Sequence, residues 1–449
     1  MRKVIFSSLI SLLLLLPSLV RADEGMWFLM FLKRLNERDM QKQGLQLTAE
    51  EIYSINNNSL KNAIVQFNGS CTASIISPEG LVITNHHCGY GSIADLSTAQ
   101  HNYLRDGYWA KTKADELPPK RLFVRFFVRM DNVTDRMLAV VNPSMSEKER
   151  EAALNQEIAK IQKENDEGGK YVVSVRSFFQ GNEFYYFVYQ DFKDVRLVGT
   201  PPENVGKFGG DTDNWEWPRH TGDFSVFRVY TDKDGNPAEY SPNNIPMKSQ
   251  KYLNVSLKGV QEKDFAMILG YPGRTNRWVP SYWVDQQVKY GYPAWVEASK
   301  TAMDAMKKHM DADNGVRLKY ASAYASLANY WKNRQGMIDA LTAHKTAELK
   351  RKAEKKFAKW AAKEANKAEY GSVLEDLSSY FAKTNQQAAN QNYLLIFFRA
   401  SQIASQVNPL VKLLSNYLNT SSDAEKAQIK ERVTQGLYNY YNQTYLPAE

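Results

Sequence analysis

Cys71-Thr72-Ala73-Ser74-Ile75-Ile76-Ser77-Pro78-Glu79-Gly80-Leu81-Val82-Ile83-Thr84-Asn85-His86-His87-Cys88-Gly89 reads as strand, turn, strand, and then a cluster of reactive side chains. Upstream of it, Ala63 to Phe67 is an apolar run, and Asn68-Gly69 is a strong two-residue hairpin signal. Downstream, strand texture returns at Arg121 to Met130, and Tyr171 to Phe179 and Glu183 to Tyr189 flank a second hairpin at Gly181-Asn182. Asp223 to Tyr230, Tyr252 to Leu257 and Phe265 to Leu269 are further candidate strands. Helices do not alternate with these strands, so an antiparallel barrel is expected rather than a parallel sheet.

Two helices are announced by capping boxes: Thr48 with Glu51 opens a short one, and Ser146 with Glu149 opens one from Glu147 to about Asn165. The texture changes near Ser281. From Trp295 onward Ala, Lys, Glu, Gln and Leu dominate, with breaks at Asn314-Gly315, Tyr370-Gly371-Ser372 and Asn408-Pro409. Four or five helices are predicted there, one running from about Val316 to Ala368. The lysines from Lys345 to Lys367 are interleaved with Ala and acidic residues, as on a solvated helix face.

At 449 residues the chain is long enough for two or three domains, and 43% apolar residues suffice for sizeable cores. Arg2 and Lys3, the apolar stretch Val4 to Val20 and the ending Val20-Arg21-Ala22 form a secretory signal peptide, 1–22, with cleavage expected after Ala22. The alternative, a retained membrane anchor, is disfavoured because the run is short for a span. Removing the three signal cations from the net charge of +8 leaves +5, too mild an excess to argue for nucleic-acid binding. The two cysteines, Cys71 and Cys88, are 17 positions apart, and in an exported protein such a pair points to a disulfide rather than a metal site.

His87 follows a strand and precedes a cysteine, the context in which trypsin-like peptidases carry their catalytic histidine. A general base must be held rigidly with one ring nitrogen free, and a strand end tied by a disulfide can do that. His86, its neighbour on a strand, is expected to point to the other face, and contiguous His-His-Cys is poor metal geometry. A carboxylate must orient the base. Asp223 lies just ahead of an apolar strand and is preferred over Asp211 and Asp213, which sit in a loop rich in Trp and Gly.

Gly209-Gly210-Asp211-Thr212-Asp213-Asn214-Trp215-Glu216-Trp217-Pro218-Arg219-His220-Thr221-Gly222-Asp223-Phe224-Ser225 closely resembles the signature of bacterial serine dipeptidyl peptidases of types seven and eleven. So do Asp23-Glu24-Gly25-Met26-Trp27, the stretch Thr84 to Gly89, and Gly270-Tyr271-Pro272-Gly273-Arg274-Thr275. The resemblance implies an α+β multidomain protein, a chymotrypsin-like antiparallel double β-barrel carrying an inserted all-α domain. Residues 23–280 would hold the first barrel and the start of the second, and 281–449 the helical domain. It implies removal of dipeptides from free peptide N-termini, in the periplasm or at the cell surface. Asn214 and Trp215 match positions that hold the substrate ammonium, and Asn329 resembles the asparagine contributed by the helical domain. An ammonium brings three donors that need acceptors, and an aromatic face adds cation–π attraction. Trp217 is expected in the core.

Asp232-Lys233-Asp234-Gly235-Asn236 mimics the start of a calcium loop but lacks the closing glutamate, so a turn is expected there. No cofactor or metal is expected. The expected partners are peptides with a free N-terminus, with a homodimer left open and no nucleic acid. No Gly-x-Ser-Gly stretch follows Asp223. In the resembled family the nucleophilic serine and the oxyanion hole lie beyond the helical domain, so this chain reads as an N-terminal part. A catalytically inactive peptide-binding homologue and a trypsin-like endopeptidase are the alternatives.

Overall fold

Ile64–Phe67 (β1) turns through Asn68 and Gly69 into Cys71–Ile75 (β2), and both turn residues have positive φ, 52° and 72°. That is the backbone the Asn-Gly pair is suited to. The computed structural model describes residues 26–401 except 56 and 99, together with residues 413, 417, 418, 420 and 422–442. The signal-peptide reading and the Asn408-Pro409 break lie outside them.

Eight further strands follow: Leu81–Thr84 (β3), Tyr108–Trp109 (β4), Val124–Asn132 (β5), Val172–Phe178 (β6), Glu183–Phe192 (β7), Val195–Thr200 (β8), Ser225–Thr231 (β9) and Ile245–Pro246 (β10). All pair antiparallel in one sheet of order β4-β8-β9-β3-β2-β1-β5-β7-β6, with β10 on β9. Val65, Phe67, Ala73, Ile75, Val82, Leu197, Phe227 and Val229 form its core with Ile93 and Ala94 of a helix, His86–Leu96 (α1). Glu147–Asn165 (α2) begins at the Ser146–Glu149 capping box and buries Ile161 against Met137 and Phe184.

Two apolar runs do not become strands. Over Tyr252–Leu257 Leu253 makes a backbone bond to Ile75 O at 2.8 Å, and Leu257 is 97% exposed. Phe265–Leu269 likewise has no ladder, and Ile268 is 99% exposed. An extended segment becomes a strand only when a neighbour takes up its backbone groups.

From Ser281 onward every described element is helical. Ser281–Gln286 and a π turn, Gln287–Gly291, lead into Tyr292–Ala312 (α3), Asn314–Ala343 (α4), Thr346–Ala361 (α5), Glu364–Tyr370 (α6), Val373–Ala400 (α7) and Asp423–Tyr440 (α8). The single helix expected over 316–368 is therefore three. Its first break is at Lys345, which adopts the left-handed conformation at φ 49°. No glycine or proline marks that break. Trp295, Met303 and Met306 of α3 pack with Leu327 and Ala328 of α4 and Ile396 of α7. Ala321 of α4 joins the core beneath the sheet, with Leu318 and Ala325 packed against it.

The chain divides into two compact units. The described residues up to Lys61 form one with Ser256–Ile268, and the second comprises Asn62–Val255 with Leu269 onward. The first contains the short helix Ala49–Ile52, closed by the Thr48–Glu51 capping box. The residues of the candidate site belong to the second. Among the described residues no helix is long and apolar enough to cross a membrane.

Candidate active site

The register of β3 against β9 pairs Thr84 with Ser225. Continuing it outward brings the residues after Thr84 alongside those before Ser225, which sets His87 beside Asp223. The chain then enters α1 at Asn85, whose own side chain makes no cap. Asp223 does so instead: its Oδ1 accepts the backbone N–H of His87 at 3.0 Å. A carboxylate at a helix N-terminus satisfies an orphan donor and meets the positive end of the dipole. The Asn85 amide donates to Oδ2 at 3.1 Å, and Ser225 Oγ donates to Asn85 O at 3.1 Å.

The other oxygen, Oδ2, lies 2.7 Å from Nδ1 of the His87 ring. A carboxylate only accepts, so the proton sits on Nδ1 and Nε2 is left as the basic nitrogen. The hydrogen bond from its ring to Asp223 raises the His87 pKa above its ordinary value, outweighing burial. Burial pushes the Asp223 carboxyl up, but the His87 ring, its backbone N–H and Asn85 together hold it below the ordinary range. The His87 side chain is 70% exposed and that of Asp223 29%, so the base faces solvent from a sheltered partner.

Cys71 and Cys88 form a disulfide, with Cα atoms 6.1 Å apart, joining β2 to the first turn of α1. These two sulfurs and the His87 ring lie within 4.8 Å of one another. Both thiols are spent in the disulfide and His87 Nδ1 is committed to Asp223, so the cluster does not fit a metal ion.

His86 and His87 occupy a helix, not a strand end. Gly89 and Gly91 disfavour a helix locally, but Tyr90, Ile93 and Ala94 are buried and tertiary packing prevails. Gly89 is needed for close approach, since a Cβ there would lie 2.7 Å from Ser225 Oγ. His86 still diverges from His87: it is 1% exposed, packed edge-on to Tyr90, and its Nε2 is buried with no hydrogen-bond partner among the described residues. Burial lowers its pKa.

The loop from Lys207 to Gly222 carries the second group of residues. Its ends are tied by the Gly222 N–H donating to Val205 O at 2.9 Å. Asn214 Nδ2 donates to Asn329 Oδ1 at 2.9 Å, and Trp215 Nε1 donates to Asn329 O at 3.1 Å. Asn329, distant in sequence, thus forms one hydrogen-bonded cluster with Asn214 and Trp215 that joins this loop to α4. Trp217 is 92% exposed, not in the core, because it sits in a loop whose adjacent residues Glu216 and Pro218 are exposed as well. Asp211 is paired with Lys207 at 2.9 Å, whereas Asp223 is the carboxylate that meets His87. Asp232 accepts the N–H groups of Asp234 and Asn236, a turn.

Sequence reading missed three supporting residues. Arg219 donates to Asn214 Oδ1 at 3.1 Å, to Phe208 O at 2.9 Å and to Gly210 O at 3.3 Å. Lys332, one turn beyond Asn329, pairs with Glu216 at 3.4 Å and donates to Thr212 O. Asn85 braces Asp223. A donor-only side chain beside an asparagine in the same loop was the available signal for Arg219.

Residues 22–447 match the family described as Peptidase S46. The whole chain is 82% identical over 449 residues to the dipeptidyl-peptidase 7 of Capnocytophaga gingivalis, of which it spans 63%. It is 43% identical over 369 residues to an Asp/Glu-specific dipeptidyl-peptidase of Flavobacterium psychrophilum, covering 82% of this chain and 52% of that one. The crystal structure of Porphyromonas endodontalis DPP11 in complex with the dipeptide Arg-Asp superimposes with a TM-score of 0.80 at 32% identity, covering 94% of this chain and 60% of that one. The fold is a mixed α/β architecture with an antiparallel sheet and many helices, like that structure, and the chain belongs to the peptidase S46 family.

Proposed function

We propose that this chain supplies the general base and the N-terminal recognition elements of an exported serine-type dipeptidyl-peptidase. Nε2 of His87 takes the proton of a serine hydroxyl and returns it to the leaving amine, while Asp223 fixes the tautomer and stabilises the imidazolium. The serine and the oxyanion hole come from the part of the relatives' length that this chain does not span. The finer architecture is a double β-barrel with an inserted helical domain, divided at residues 23–280 and 281–449. A signal peptide, 1–22, directs the protein to the periplasm or cell surface.

One observation carries the exopeptidase reading: Asn214, Trp215 and Asn329 converge into a single hydrogen-bonded cluster. Asn329 Oδ1 accepts from Asn214 and Asn214 Oδ1 accepts from Arg219, and each amide oxygen keeps a lone pair for a substrate ammonium. The partially exposed Trp215 ring adds a π face.

The test is the specificity constant of the complete gene product on one peptide with a free and with an acetylated N-terminus. Acetylation removes the charge and two donors, leaving acceptors unpaired at about 1–3 kcal/mol each. Cleavage should fall by about two orders of magnitude, at ~1.4 kcal/mol per tenfold. Equal cleavage of the two peptides would return these three residues to a structural role.

A further inference from the structure

We infer that Arg219 is a positioning residue that sets which atoms the N-terminal recognition cluster presents to substrate; this rests on the exopeptidase reading above. An amide side chain has an accepting end and a donating end, and it turns according to its partners. The guanidinium of Arg219 has donors only. It is itself fixed by two backbone carbonyls, Phe208 O at 2.9 Å and Gly210 O at 3.3 Å. Its Nη1 therefore selects the oxygen of Asn214, at 3.1 Å.

With the Asn214 oxygen committed to that side, its NH₂ faces Asn329 and donates to Oδ1 at 2.9 Å. Polarity thus runs in one direction from the loop backbone through Arg219 and Asn214 to Asn329 on α4. Both asparagines then hold oxygens at defined positions, and an ammonium with three donors can use their remaining lone pairs. Were Asn214 to turn over, its NH₂ would oppose the guanidinium, donor against donor, and a second donor set would confront the substrate cation.

This assignment runs against simple electrostatics, which makes it testable by sign. Arg219 is a cation placed one side chain away from a site proposed to hold another cation. If its charge were all that mattered, removing it would tighten binding of the ammonium. If it positions the amides, removing it loosens binding.

The experiment is calorimetry on the complete gene product with a dipeptide, Ala-Phe or Ala-Glu, whichever the unmutated protein binds more tightly, and with its N-acetylated form. The unmutated protein should prefer the free form by about 100-fold. Arg219→Met should weaken the free dipeptide by about tenfold and leave the acetylated one nearly unchanged, collapsing the preference by the worth of one hydrogen bond. Arg219→Lys, which keeps a donor of similar reach, should restore most of it. General damage to the loop would weaken both ligands alike and leave the preference intact, and that result overturns the assignment, as does tighter binding by Arg219→Met. If the unmutated protein itself fails to distinguish the two forms, the exopeptidase reading falls and the assignment falls with it. If it distinguishes them and Arg219→Met does so equally, Arg219 alone is reassigned.

Discussion

Asp223 holds His87 twice, by the ring at Nδ1 (2.7 Å) and by the backbone N–H (3.0 Å), with a different carboxylate oxygen for each. One side chain thereby caps the helix and orients the imidazole that the helix carries. The position of the base and its tautomer are a single structural decision, made by the pairing of β3 with β9.

Replacing Asp223 by Asn tests that coupling. An amide still offers one oxygen, but its NH₂ end cannot accept, so either the ring or the backbone N–H of His87 loses its partner. The His87 pKa, raised by the carboxylate, should fall toward 6.5 or below in an NMR titration. The sign with pH follows for each partner. The His87 contribution to stability is full below about pH 6.5 and lost as pH rises through its raised folded pKa. The Asp223 contribution is full above about pH 3.8 and lost as pH falls through its depressed folded pKa. The variant's stability deficit, about 1–3 kcal/mol, should thus be widest between those two values, and turnover by the complete gene product should drop about 10⁴-fold. An unmoved His87 titration would contradict the coupling.

The Cys71–Cys88 disulfide closes a loop with a sequence separation of 17 that contains β3 and ends beside His87. Constraining a loop of that size is worth about 3 kcal/mol. Replacing both cysteines by serine should lower the unfolding free energy by that order in urea titrations, and amide exchange should speed up across Asn85 to Gly89. A thiol count on denatured, unreduced protein should be zero. Two free thiols would remove the basis of the prediction.

What the sequence made legible was mostly local. The capping boxes at Thr48 and Ser146 depend on residues three apart, and both form as read. The hairpin at Asn68-Gly69 is equally local. The helix at His86–Leu96 was hidden because Gly89 and Gly91 argue against it and its stability comes from burying Ile93 and Ala94 under the sheet. The break at Lys345 was hidden because a lysine in the left-handed region carries no compositional mark. Tyr252–Leu257 was misread for the opposite reason: strand texture is present, but a ladder partner among the described residues is not. At the site, His87 and Asp223 were read from their strand contexts and Asn214, Trp215 and Asn329 from the family resemblance; the structure brings His87 to Asp223, and Asn214 and Trp215 to Asn329. Arg219, Lys332 and Asn85 act on those residues rather than on a substrate, so only the hydrogen bonds expose them.

His86 and Gly206 form a contact that should behave as one unit. A Cβ at Gly206 would lie 2.5 Å from Cδ2, 2.6 Å from Cγ and 2.7 Å from Nε2 of the His86 ring. The ring is fully buried and has nowhere to retreat except by shifting the first turn of α1, which carries His87. Gly206→Ala should therefore cost about 1–3 kcal/mol by overpacking. His86→Ala leaves a cavity that the new methyl group partly fills, so the double variant should be more stable than the sum of the single changes by about 0.5–3 kcal/mol. The pH dependence gives a second readout. Burial lowers the His86 pKa, and His87 and Lys207 push the same way, while Asp223 and Glu203 oppose them. Its contribution is full above about pH 6.5 and is lost as pH falls toward the depressed folded value, the reverse of His87. His86→Ala should abolish that part of the acid sensitivity and Gly206→Ala should not. Strict additivity in the urea-denaturation cycle would show instead that the ring and the glycine are independent.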